Sequence, residues 1–273
     1  MSRWQASAVV PTGRESAALG SAAVARPYAG LPVVCQQLRM VYTVEGEEVV
    51  ALDDADLTIA SGESVAVLGP SGAGKSTLLT LIAGLQRPAA GTIWVGRHDI
   101  VRMSETDLLA LRGSDVAMVA QGPARNLLLW TTVEDNVRFA QRGVRRWARR
   151  VLPDAWELLD SLGMADLLGR RVDQLSGGEK QRLAVAVGMA TRPGLLLLDE
   201  PTSQLDHTNR DKVVELMRTI VDRFGTTVIA VTHDEEVAAA LHRTVSVDTG
   251  RLVSTSVPVC HACGRPLDPS GGH

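Results

Sequence analysis

The run Gly69-Pro70-Ser71-Gly72-Ala73-Gly74-Lys75-Ser76-Thr77 places three glycines within six residues and then one lysine before two hydroxyls. Glycine is costly to order and contributes little to a core, so this much bare backbone needs a chemical reason. The reason is an anion. A glycine-rich turn folds tightly enough to point successive backbone amides at one negative group. A helix opening near Lys75 adds its N-terminal partial charge. The lysine can then reach the β- and γ-phosphates of a nucleotide, and the Ser76 hydroxyl can ligate Mg²⁺.

Five further stretches carry acids, hydroxyls, an amide or an imidazole at or beside the predicted elements. "LLLLDEPT" delivers Asp199 at the carboxyl end of a buried strand, where open α/β sheets bind ligands. That position suits a hold on Mg²⁺, and Glu200 beside it can polarise an attacking water. "LSGGEKQR" sets Ser176, Gly177 and Gly178 before a helix, a second anion-binding terminus or an ordinary N-cap. Gln121 ends the predicted strand "VAMVAQ" within reach of the metal or the water. His233 follows "TTVIAVT" and is placed for a γ-phosphate contact or for packing. Tyr42, before the first predicted hairpin, can stack on a purine ring or pack.

The elements that must hold these residues follow from periodicity. "SVAVLG" and "GLLLLDE" are short and apolar on both faces, as strands buried in a parallel sheet are. "STLLTLIAGL" is a helix apolar all round, closed by Gly84 and stopped before Pro88. "SETDLLALR" begins with Ser104 at capping spacing from Asp107. "GTIWVG" and "VAMVAQ" are strands, residues 132–170 are mostly helical, and "GGEKQRLAVAVGMAT" and "HTNRDKVVELMRTIVDRFG" are helices. "TVSVDTGRLV" is a hairpin turning at Asp248–Gly250. Strands alternating with helices predict a parallel α/β core. The run from Val33 to Gly69 predicts an added antiparallel layer.

Length and composition bound the rest. The chain has 273 residues, 45% hydrophobic, and a formal net charge of -3. It can bury one large core or two modest ones and carries no global nucleic-acid footprint. Three cysteines, Cys35, Cys260 and Cys263, are too few for a disulfide framework. No apolar run reaches the roughly 18 residues needed to cross a bilayer. "SAALGSAAVA" is too weakly apolar, after Arg14 and Glu15, for a leader core. "RRWARR" at 145–150 is a solvated face or a point of attraction to anionic lipid. "CHACG" at 260–264 is half a zinc ribbon without a second ligand pair, so no stoichiometric zinc is expected.

Taken together, these motifs resemble the nucleotide-binding subunit of ABC transporters over about residues 33–253. In that resemblance "GPSGAGKST" is Walker A, Gln121 the Q-loop, "LSGGE" the signature, "LLLLDE" Walker B, "SQLD" the D-loop and His233 the switch histidine. It implies a P-loop NTPase, RecA-like parallel core with an antiparallel β layer and an inserted helical subdomain at about 122–180. Residues 1–32 then form an N-terminal extension and 254–273 a tail. It implies ATP and Mg²⁺ as cofactors, the metal held by Ser76, Gln121 and Asp199. It implies Tyr42 at the adenine, Glu200 as general base with Gln121 and His233 beside it, and contacts from Asp206. It implies a second copy as partner, its Ser176 and Gly178 completing the ATP site, and separate transmembrane permease subunits, with no nucleic acid. The subunit would then sit peripherally on the cytoplasmic face of the membrane.

Two positions depart from the pattern: Gln204 stands where the D-loop usually has alanine, and no aromatic precedes Gln121. "ARNLLLWTTVEDNV" resembles lipoprotein-release, macrolide-export and cell-division ATPases, whose permeases have large extracytoplasmic domains. An importer ATPase for amino acids or ions fits the same motifs. A soluble cassette protein of translation or DNA repair fits less well, since one cassette with a short insertion is expected. So little chain follows residue 253 that no appended regulatory domain is expected.

Overall fold

The computed structural model describes residues 30–147 and 151–254. Residues 1–29, the end of the basic run at 148–150, and the tail with Cys260 and Cys263 lie outside the described residues. Gly30 to Pro32, assigned from sequence to the extension, belong to the body. Leu31 N donates to Gly194 O at 2.9 Å and Gly30 O accepts from Ser61 Oγ at 2.6 Å.

Among the described residues the strands form two sheets. The first is antiparallel and four-stranded, built from β1 (Val33–Val44), β2 (Glu47–Ile59), β4 (Ala90–Val95) and β5 (His98–Asp99) in the order β2-β1-β4-β5. The second has six strands: β3 (Ser64–Leu68), β6 (Val116–Val119), β7 (Leu195–Asp199), β8 (Thr227–Thr232), β9 (Arg243–Asp248) and β10 (Arg251–Ser254). Its order is β10-β9-β3-β8-β7-β6, parallel except where β10 returns antiparallel along β9. The hairpin expected at Asp248–Gly250 is that return. Tyr42 lies inside β1, opposite Val49, rather than ahead of the hairpin.

Two cores explain the uniformly apolar strands. Side chains alternate across a sheet. In β7, Leu195 and Leu197 face the antiparallel layer, whereas Leu196 and Leu198 face the helical side. β8 divides likewise, Ile229 and Val231 against Val228 and Ala230. Helix α1 (Lys75–Ile82) lies in the first core, where Leu78, Leu79, Leu81 and Ile82 are all buried. That is why it is apolar all round. Helix α2 (Glu105–Ser114) joins this core and is capped by Ser104, whose Oγ accepts from Asp107 N.

The second core gathers α3 (Val133–Trp147), α4 (Ala155–Ser161), α5 (Gly177–Gly188), α6 (His207–Phe224) and α7 (Glu235–Ala239) against the other face. Cys35 is buried in β1, and burial, then the Asp56 charge, push its thiol up to about 12. It is a small core residue and not a reactive one.

One buried ion pair ties the sheet edge to the turn before β3. Arg243 Nε donates to Glu63 Oε1 at 2.6 Å, with both side chains at least nine-tenths buried. The Glu63 carboxylate also accepts from Ala60 N, and Arg243 reaches Thr58 O. Removing one partner leaves an uncompensated buried charge. Arg243→Leu is expected to lower unfolding stability by about 3–5 kcal/mol. Adding Glu63→Gln to it is expected to recover part of that loss. Urea unfolding of the single and double variants checks both outcomes.

Candidate active site

The sheet order builds the site. β3, β8 and β7 are side-by-side and parallel, so their carboxyl ends open onto one edge. The glycine-rich loop follows β3, Asp199 ends β7 with Glu200 next in the chain, and His233 follows β8. A cleft of about 600 Å³ lies over that edge, lined by Tyr42, Val49, Val50, Ala51, Ser71, Gly72, Gly74, Lys75, Ser76, Thr77, Gln121, Glu200 and His233.

The loop has the shape that a phosphate cradle needs. Gly72 and Gly74 have φ of 81° and 96°, values open to glycine and rarely to other residues. A Cβ on Gly74 would collide with the Ala51 carbonyl oxygen, so the loop packs directly on the β2 backbone. Ala73 is buried, whereas Ser71, Gly72 and Ser76 are exposed. Lys75 is buried, and its Nζ donates to Gly69 O and Pro70 O at 2.8 Å each. The ammonium is thus folded over its own loop, where it can change partner to a phosphate oxygen.

Ser76 Oγ donates to Asp199 Oδ1 at 3.0 Å. Burial raises the Asp199 carboxyl above the usual range, and neighbouring Glu200 adds to this against the Ser76 hydrogen bond and Lys75. A serine hydroxyl, a half-buried carboxylate and the Gln121 amide are a hard oxygen donor set. These residues fit Mg²⁺, and the glycine cradle with Lys75 fits a polyphosphate.

Glu200 turns sharply after β7 with φ 49°, a left-handed conformation uncommon outside glycine. The turn aims its carboxylate into the cleft, where Oε2 and Oε1 lie 2.9 and 3.1 Å from His233 Nδ1. Gln121 stands two residues beyond the end of β6, not at its last position. Asn126 closes that loop: its side chain accepts from Ala120 N and donates to Ala120 O and Gly122 O. Tyr42 OH donates to Gln86 Oε1 at 2.7 Å and lies 3.3 Å from Thr77 Oγ1, which tethers the ring at the cleft mouth.

The other expected residues lie elsewhere. Ser176, Gly177, Gly178 and Asp206 do not line this cleft. Ser176 caps α5 in a capping box with Glu179, and Asp206 caps α6 by accepting from Asn209 N at 2.8 Å. Both readings of "LSGG" therefore share one feature, because the cap leaves exposed Ser176 and Gly177 at a helix terminus. Sequence reasoning missed Gln86, Asn126, Asn209 and Arg210. Gln86 and Arg210 meet partners distant in the chain and Asn126 closes a loop, whereas Asn209 bonds its cap residue Asp206 three positions back and meets Gly178 across the fold.

The family comparison agrees with this geometry. The ABC transporter family model matches residues 52–203. The sulfate/thiosulfate import ATP-binding protein CysA 2 of Chromobacterium violaceum is 43% identical over 76% of this chain and 55% of its own length. The methionine import ATP-binding protein MetN of Xanthomonas campestris is 39% identical over 86% of this chain and 69% of its own. This chain thus spans little more than half of the first relative. A dimeric ATP-binding cassette in a post-hydrolysis state bound to ADP and Pi superposes with a TM-score of 0.71 at 28% identity, covering 82% of this chain and 99% of that one. The cbiO1 cassette of Clostridium perfringens, part of the cbiONQ transporter complex, gives 0.71 at 26% identity over 82% and 87%. The P-loop fold, the glycine cradle with Lys75 and Ser76, and the matched segment lead to one assignment: the chain belongs to the ABC transporter ATP-binding family.

Proposed function

We propose that this chain is the ATP-hydrolysing subunit of an ABC import system, working with a second copy and driving a separate membrane permease. The observation that carries the hydrolytic part is the meeting of Lys75, Ser76, Glu200 and His233 in one cleft. Backbone amides of residues 72–77 and the Lys75 ammonium neutralise the phosphates of bound ATP. Ser76 and Asp199, with Gln121, would hold Mg²⁺. Bound there, Mg²⁺ would supply electrostatic stabilisation of the charge that develops on the phosphate oxygens.

Glu200 accepts the proton of the attacking water, and His233 holds the carboxylate by its Nδ1 contact. Tyr42 stacks on the base. In a two-copy arrangement, Ser176, Gly177 and Gly178 of one copy close over the phosphates held by the other, and Asp206 lies near the junction. No helix among the described residues is long and apolar enough to cross a membrane. The subunit works through separate permease chains, peripherally on the cytoplasmic face, as in the family that it belongs to.

Import is favoured over a permease with a large extracytoplasmic domain. The two curated relatives described above, CysA 2 and MetN, are named as import ATP-binding proteins. The likeness of residues 126–137 to the release and export group includes Asn136, which closes a local loop. Buried Asn136 accepts from Leu128 N and donates to Leu128 O, Thr131 Oγ1 and Thr132 O, so its place in the pattern serves loop folding. Affinity purification of the tagged chain from detergent-solubilised membranes of its native host tests the reading. A co-purifying permease that lacks a large extracytoplasmic domain and is encoded beside a solute-binding protein is expected. A permease bearing such a domain would overturn import.

A further inference from the structure

The first turn of α6 is a junction for three parts of the site. Asp206 caps it, and Arg210 N donates back to Asp206 O at 2.9 Å. Asn209 Nδ2 donates to Asp206 Oδ2, and the same side chain lies where a Cβ on Gly178 would collide with it. The start of α5 therefore rests on α6 with no room for a larger residue. On the other side of the turn, Arg210 Nη1 donates to Asp234 Oδ2 at 3.2 Å. Asp234 is the residue after His233, and its Oδ1 accepts from the Glu236 and Val237 amides at the start of α7.

Arg210 also pairs with Glu236 and Asp211. Those two carboxylates are 70% and 73% exposed, so their pairs contribute little. Arg210 and Asp234 are 16% and 27% exposed, and between them lies the contact with directional weight. Burial opposes it, but the Val237 and Glu236 amides and Arg210 together hold the Asp234 carboxyl below the usual range.

Resting on the reading of Glu200 and His233 given above, we propose that Arg210 is the positioning residue that lets the first turn of α6 set His233 against Glu200. His233 itself is 67% exposed, and its imidazole meets Glu200 from a short loop between β8 and α7. Such a loop needs an external anchor to hold one ring within hydrogen-bond distance of a carboxylate 33 residues away. The Arg210 Nη1 hydrogen bond to Asp234 is that anchor. Because the same turn carries Asp206 and Asn209, a shift of α5 or of the 203–206 loop reaches His233 through one side chain.

The test is a double-variant cycle on ATP hydrolysis by the full chain. Arg210→Met is expected to lower kcat about tenfold with KM for ATP changed less than about twofold, a size typical of residues in one network. Arg210→Lys keeps the charge but not the planar guanidinium that reaches Asp234, and is expected to recover part of the loss. In a His233→Ala background, Arg210→Met should cost less than about twofold more, since nothing is left to position. Unfolding midpoints of all variants separate folding from positioning. If Arg210→Met does not fold, Asp234→Asn takes its place with the same expectation, because it keeps an oxygen for the α7 amides. Equal losses from the Arg210 variant in both backgrounds, or a wild-type kcat for it, would overturn the positioning role alone. A wild-type kcat for His233→Ala would overturn both this role and the site reading beneath it.

Discussion

Glu200→Gln is expected to lower kcat for ATP hydrolysis by at least about a hundredfold while ATP still binds, because a general base contributes about that much or more. The substitution is close to isosteric, and the amide oxygen can keep one contact with His233 Nδ1. The left-handed turn at Glu200 and its position after β7 are backbone features that the side-chain change does not touch. Lys75 and Ser76 open α1 and the loop amides lie between β3 and α1, away from the substitution, so phosphate contacts are retained. Binding without turnover favours the closed pair of copies. Size-exclusion chromatography with ATP and Mg²⁺ should then show a dimer for the variant, beside steady-state hydrolysis near background. Turnover at the wild-type rate would remove Glu200 from the role of base.

Mixing a Lys75→Ala chain with a Ser176→Arg chain is expected to restore ATP binding and closure at one composite site. The cleft around Lys75 is lined by residues from the loop, β2, Glu200 and His233, and Ser176, Gly177 and Gly178 are absent from it. A helix terminus suited to an anion but remote from the cleft of its own chain is available to a second chain. Each homodimer of either variant has both sites damaged. The mixed dimer has one site with Lys75 and Ser176 both intact and one site lacking both. The readout is ATP-dependent crosslinking between a cysteine beside Lys75 in one chain and a cysteine beside Ser176 in the other. Severalfold more crosslinking in the mixture than in either variant alone is expected. No increase, in a mixture shown to contain mixed dimers, would sink the shared site.

Legibility in the sequence followed contiguity. Residues 69–77 need only their own backbone and one helix start to form a cradle, so their chemistry is visible in nine consecutive letters. The capping of α2 by Ser104 and the stop of α1 at Gly84 depend on a few neighbouring residues. The uniform apolarity of Leu195 to Leu198 showed that both faces are buried, because each face meets its own core. Boundaries were less visible. Gly30 to Pro32 have no period of their own and are held by Gly194, Ser61 and Gly96 from other parts of the chain.

By itself, then, the sequence determined the phosphate loop and the types of the elements that flank it, and it offered the carboxylates, hydroxyl and amide on which the proposed base and metal roles rest. Only the tertiary structure decided which of them meet. Ser76 and Asp199 are 123 residues apart, and His233 and Glu200 are 33 apart. Each pair is joined because β3, β8 and β7 are neighbours in the sheet, an order that no local propensity encodes. The same holds for Arg210, which reads in sequence as one more charge on an amphipathic helix. Its role arises where α6 packs beside the loop after β8. That packing comes from burying Val213, Leu216 and Met217 against the sheet, and the arginine is carried to Asp234 by the same helical register.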